Sequence, residues 1–237
     1  MFDFDKDYLY HSVSTIPRSY DTKGKIKLEN ILKDGYTLSK RNIFGEECSQ
    51  IKCGFNGYDY IFLSKKISSD PLLNDINKIN VSKLSRTKCL NLHQKIVDWT
   101  DYNQREAFYQ YVPFNITFIF NTGIGEIDTN MIPNIYLFQR YTNDGDIRYS
   151  DLFGEVQIKD KLDINEAVAI YIPYYIKIFV SQLEAKIYKQ KDANMDYINK
   201  KALEYLCMIE KYYPNIPVVD IFSKKVLTKS LFNGIIK

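Results

Sequence analysis

Apolar and polar positions alternate along this chain in two rhythms, and the change from one to the other marks its elements. Tyr8-Leu9-Tyr10-His11-Ser12-Val13-Ser14 reads as a short aromatic strand. In the segment that follows, Ile26, Ile31 and Leu32 fall on one helical stripe, and Gly35 supplies a left-handed stop. Residues 36–57, with Gly45, Gly54, Asn56 and Gly57, read as an irregular loop that leads into a strand over Tyr58–Ser64. Residues 68–112 are mainly helical by period: Leu92, Ile96 and Trp99 share a face, and Asp101 stands at a capping position. Strand patterns then return at Phe114–Phe120, Asn134–Arg140, Gly154–Lys159 and Val168–Ile172, and Pro173 ends the last of them. From Tyr174 the pattern is helical, with Ile178, Leu183 and Ile187 on one face and Ile198, Leu203, Leu206 and Ile209 on another, until Pro214 and Pro217. The order is that of a mixed α+β domain: strand, helix, strand, a helical insertion, four or so strands, and a helical C-terminal cap.

No repeat, low-complexity stretch or Pro/Gly/Ser-rich linker divides the 237 residues, so a single domain over 1–237 is expected, with 174–237 as a helical C-terminal extension. The 20 tyrosines accompany abundant Lys, Ile and Asn, a bias that AT-rich coding produces on its own, so most need no functional reason. Charge changes the picture little. The 32 basic and 29 acidic residues leave +3, and the doublets Lys40-Arg41, Lys65-Lys66, Lys200-Lys201 and Lys224-Lys225 are dispersed, unlike the stripe of a dedicated nucleic-acid binder. Cys48, Cys53, Cys89 and Cys207 lack the paired spacing of a zinc site, so four free thiols in a reducing compartment and no bound metal are expected. The acidic start Met1–Asp7 lacks the apolar core of a signal peptide. The apolar run Ala167–Val180 is broken by Pro173 and Lys177 and is too short to span a bilayer. A cytoplasmic protein without membrane association is the expectation.

The candidate chemistry lies at three strand starts. His11 sits on the first strand, Tyr60 on the second with Ser64 nearby, and Glu155 opens the third after a polar turn. This His…Tyr…Glu order resembles the ADP-ribosyltransferase superfamily, across roughly residues 8–173 and in order, residue type and spacing rather than in a long consensus. The segment Leu28–Gly35 after the His strand is similar to the helix-then-Gly of transferases that modify nucleic-acid bases, and to the opening of tRNA 2′-phosphotransferases.

The resemblance implies a split mixed β-sheet of ADP-ribosyltransferase type, with NAD as substrate bound in a cleft between its halves. It implies that Glu155 accepts a hydrogen bond from the nicotinamide-ribose 2′-hydroxyl and stabilises the oxocarbenium-like centre formed as nicotinamide leaves. His11 would orient a ribose hydroxyl or backbone group, Tyr60 would offer a flat face to the nicotinamide ring, and Ser12, Ser14 and Ser64 would complete the cofactor-binding set. Glu126, Glu166 and Asp160 are the neighbouring acids that rival Glu155. In this family the loop before the Glu recognises the target; here it carries Arg148, Asp151 and Phe153. Arginine-modifying members have Glu or Gln where this chain has Phe153, so the acceptor expected is a nucleotide base, another side chain or water. An intracellular toxin or defence effector acting on nucleic acid or protein is the function implied. The alternatives are a non-catalytic nucleotide- or protein-binding module of the same fold, and an RNA 2′-phosphotransferase gripping phosphate through Arg18, Lys40, Arg41 or Arg140.

Other chemistries lack their motifs. There is no Gly-rich Lys-Ser/Thr loop, dinucleotide fingerprint, His-Glu-x-x-His or Gly-x-Ser-x-Gly. Asp144, Asp146 and Asp151 do not keep calcium-loop spacing. Cys89 and His93, four apart, share a helix face but have no third orienting group in the sequence.

Overall fold

The structure, a computed structural model, describes residues 1–15, 27–39, 42–43, 60–64, 76, 78–102, 115–124, 155–191 and 194–232. The strand pattern expected over Asn134–Arg140, and the loop residues Arg148, Asp151 and Phe153, lie outside the described residues.

A seven-stranded sheet organises the chain. Its strands are β1 (Tyr8–Ser14), β3 (Tyr60–Ser64), β4 (Asn115–Asn121), β5 (Glu155–Lys159), β7 (Ala169–Tyr171), β8 (Val218–Asp220) and β9 (Lys225–Val226). They lie in the order β5-β3-β1-β4-β7-β8-β9, all neighbours antiparallel except the parallel pair β7 and β8. A separate two-stranded ribbon joins β2 (Tyr36–Leu38) to β6 (Lys161–Asp163), with Lys161 Nζ 4.1 Å over the Tyr36 ring. The fold is therefore α+β with a mixed sheet.

Both faces of the sheet are covered, as the alternation along β1 requires. Leu9 and Val13 join one apolar layer with Leu28, Ile31 and Leu32 of α1 (Leu28–Asp34) and Ile198, Ala202, Leu206 and Ile209 of α4 (Asn194–Tyr212). Tyr8 and Tyr10 join the other, with Cys89 and Ile96 of α2 (Arg86–Tyr102) and Ile176, Phe179, Val180, Leu183 and Ile187 of α3 (Tyr174–Tyr188). β4 is apolar on both sides because it is covered on both: Ile116, Phe118 and Phe120 belong to the first layer and Ile119 to the second.

Local chemistry sets the ends. α1 stops where Gly35 takes φ +81° and its N–H donates to the Ile31 carbonyl at 2.9 Å. α3 begins directly after Pro173, and its first turn is closed from a distant part of the chain. Asp220, at the end of β8, accepts from the Tyr175 N–H at 2.9 Å and from the Ser223 N–H at 2.7 Å. The expected helical cap is α3 followed by α4, but the chain then re-enters the sheet as β8 and β9. Strands of three and two residues are too short to display an alternation, so the sequence pattern did not announce them.

Candidate active site

The sheet is unevenly joined. β1 pairs with β4 along its whole length, from Tyr8↔Asn121 to Ser14↔Asn115, and β3 pairs with β5 from Tyr60↔Lys159 to Ser64↔Glu155. Between these two halves, among the described residues, the β1–β3 ladder shows the bridge Tyr10↔Ser64 and no further pair. A strand in the middle of a sheet ordinarily has both edges occupied. Here Ser12, two residues past the bridge, is exposed, and His11 beside it is half-buried, although the next residue, Val13, is buried. The β1–β3 junction is thus the most sparsely joined seam among the described strands, with His11 and Ser12 of β1 beside it and β3 across from them.

The strand that starts with Glu155, the strand of Tyr60 and Ser64, and the strand of His11, Ser12 and Ser14 lie side by side in that order. Glu155, Ser64 and Tyr10 form one row across them. With neighbouring strands about 4.8 Å apart, the Cα atoms at the two ends of that row are about 10 Å apart. Tyr60 stands at the far end of the β3–β5 ladder from Glu155, opposite Lys159.

Adjacent rows of a pleated sheet alternate between its faces. Ser12 and Ser14 fall in the same set of rows as Tyr10, Ser64 and Glu155, whereas His11 falls with Leu9 and Val13. The ladders therefore bring the three strands together but set His11 one row away from the row of Glu155, in the alternate set. The β1 residue that shares Glu155's set and opens to solvent is Ser12. Its hydroxyl lies 2.8 Å from the Thr117 hydroxyl, directly across the β1–β4 ladder, and Thr117 is 2 % exposed. Thr117 had gone unmarked in the sequence. The signal that could have found it is a polar residue between Ile116 and Phe118 in a run otherwise apolar. Of the rival acids, Asp160 is exposed with φ +61°, Glu166 is exposed in the turn Ile164–Glu166, and Glu126 lies outside the described residues.

Three other polar groups are buried or half-buried, Lys177 and Glu184 on α3 and Asp220 on β8. Glu184 of α3 supplies the third group that the Cys89–His93 pair lacked: its Oε1 is 3.0 Å from His93 Nε2. Cys89 itself is completely buried in the second apolar layer, closed to any substrate. Asp220 is completely buried, and burial pushes its carboxyl up to about 6 against the lowering effect of the Tyr175 and Ser223 N–H groups. Lys177 on α3 is also completely buried, and burial lowers its amine to about 7. A surface concavity of about 500 Å³ lies at the opposite edge of the sheet, lined among others by Cys207, Lys211, Pro214, Val226 and Lys229. Lys229 is held there by Glu210 at 2.5 Å. Among the described residues no cluster of three or more His, Cys, Asp or Glu could hold a metal ion, and no helix is long and apolar enough to cross a membrane.

Comparison with protein-family models, with curated proteins and with solved structures gives no match to this chain.

Proposed function

We propose that the protein is an NAD-consuming ADP-ribosyltransferase or NAD glycohydrolase of the ADP-ribosyltransferase fold. The observation that carries this reading is the seam: among the described residues the two halves of the sheet share the bridge Tyr10↔Ser64, and the Glu155, Tyr60 and His11 strands are adjacent although about 145 residues of chain separate the first from the last. An extended dinucleotide would lie along such a seam, where the exposed Ser12 offers a hydroxyl and the apolar layers on both sides of β1 hold the strand rigid. In the reaction the bond between nicotinamide and ribose C1′ breaks, and nicotinamide leaves with the bonding electron pair. Glu155 stabilises the cationic ribose through its 2′-hydroxyl. A nucleophile of the acceptor, or water, then bonds to C1′ and loses its proton. Ser12, Ser14 and Ser64 hold the dinucleotide, Tyr60 stacks on the nicotinamide, and His11, in the alternate set of rows, orients a backbone group rather than the reacting ribose. With Phe153 two residues before Glu155, the acceptor is a nucleic-acid base, a protein side chain other than arginine, or water, inside a cell that the protein intoxicates or defends.

Incubation of the purified protein with NAD, with and without cell lysate, tests this reading. Release of free nicotinamide is expected, together with free ADP-ribose or a labelled acceptor; absence of all three would remove the enzymatic reading. A second reading, a binding module of the same fold without chemistry, is favoured by the alternate row of His11, since two groups on opposite faces do not meet at one reacting atom. NAD binding without turnover, insensitive to Glu155→Gln, would select it.

A further inference from the structure

We propose that Thr117 is a positioning residue of the seam, which fixes the Ser12 hydroxyl so that its proton points outward to an acceptor oxygen of the bound nucleotide. The inference rests on the NAD reading above and goes beyond it by naming a residue of a different strand and the direction of one hydrogen bond.

The direction follows from the unequal burial of the two hydroxyls. Each can donate once and accept twice. Thr117, 2 % exposed between Ile116 and Phe118, has no water to take its proton, and a buried donor left without an acceptor is costly. Ser12 is exposed, so water can take its proton. The lower-energy arrangement of the 2.8 Å pair therefore has the Thr117 O–H donating and the Ser12 oxygen accepting. The Ser12 O–H is then directed away from Thr117, toward the open side of β1. Thr117 is suited to this task because a β-branched side chain on a strand is stiff at χ1, and its strand is fixed on both sides, by Ser12 and by Tyr171. A serine at 117 would keep the hydroxyl but not the stiffness; a valine would keep the shape but not the donor. Without that donor, Ser12 can turn its own proton elsewhere, and the site is no longer preorganised.

The experiment compares wild type, Thr117→Val, Thr117→Ser and Ser12→Ala in nicotinamide release, with NAD-induced thermal stabilisation as a readout independent of turnover. Thr117→Val is expected to raise KM for NAD about three- to tenfold, the range of one neutral hydrogen bond, with kcat moving less. Thr117→Ser is expected to restore KM to within about twofold of wild type, the residue of lost χ1 stiffness. In the Ser12→Ala background, Thr117→Val is expected to add nothing further, which a general loosening of the core would not produce. Thr117→Val with wild-type KM, or with the same effect whether or not Ser12 is present, overturns the inference while leaving the NAD reading intact. Wild-type protein that neither responds to NAD nor releases nicotinamide overturns both.

Discussion

Lys177 offers a sharp test of how the α3 layer is built, because an amine there has no exposure at all. It is one of the buried residues of α3, as are Tyr174, Ile176, Phe179 and Val180. Burial lowers its pKa from 10.5 to about 7. A fall of that size corresponds to about 5 kcal/mol between the charged and neutral amine inside the fold. Between pH 7 and 10.5 the unfolded chain binds a proton at this site that the folded chain does not. This contribution therefore makes the protein less stable at pH 7 and is relieved as the pH rises toward 10.5. Lys177→Met keeps an unbranched side chain of similar volume and removes the titration. Relief of that penalty, less what the lysine's own contacts contribute, is the gain expected here at pH 7, and it is below about 5 kcal/mol. Urea unfolding of both proteins at pH 7, 8, 9 and 10 measures it. The difference between them should shrink as the pH rises, and taking the difference removes the other lysines, tyrosines and thiols that titrate in the same range. A variant no more stable than wild type at pH 7, with a difference that does not change with pH, would refute the reasoning.

Asp220 has the opposite sign and another window. Its carboxyl is raised from 3.8 to about 6 by burial, so the folded protein holds the proton more tightly; that stabilisation is complete below about pH 4 and lost as the pH rises through 6. Asp220→Asn should therefore gain on wild type by about 3 kcal/mol between pH 4 and pH 7 in urea unfolding, and a constant difference would contradict the assignment. Gly35→Ala should cost about 1 kcal/mol, because φ +81° is unfavourable for alanine and its Cβ would stand 3.4 Å from both Asn165 Nδ2 and Tyr213 Oη; the loss should appear as an unfolding midpoint lowered without a change in slope.

Elements whose residues repeat a period were legible in the sequence. The stripe that ends in Ile31 and Leu32, with Gly35 behind it, gives α1, although Ile26, which the pattern placed on that stripe, lies outside the described residues and the helix begins at Leu28; the pattern over Tyr8–Ser14 gives β1. Phe114–Phe120 read as a strand from its alternation of large apolar with smaller or polar residues, and the strand observed is Asn115–Asn121. β7 has three residues but was legible inside the apolar run Val168–Ile172, whereas the equally short β2, β6 and β8 carry no such run and were silent, as was the return of the chain after Tyr212 to pair beside β7. The candidate site was legible as a set of residue types and not as a geometry. Which strands become neighbours depends on long-range pairing, and the one-residue offset that sets His11 apart from the row of Glu155 is fixed by the Tyr10↔Ser64 bridge, which no local pattern encodes. Thr117 and Glu184 were missed for the same reason: each matters through a partner, Ser12 or His93, roughly a hundred residues away in sequence.

The central claim is that a carboxylate at the start of β5 works on the nicotinamide–ribose bond at the seam. The most direct measurement is the rate of nicotinamide release from NAD by wild type and by Glu155→Gln, with NAD-induced thermal stabilisation recorded for both. Gln matches Glu in shape and lacks its charge, so the account predicts that both proteins are stabilised by NAD while the variant releases nicotinamide roughly 100- to 1,000-fold more slowly. Equal release by the two proteins, or release by neither, would contradict it.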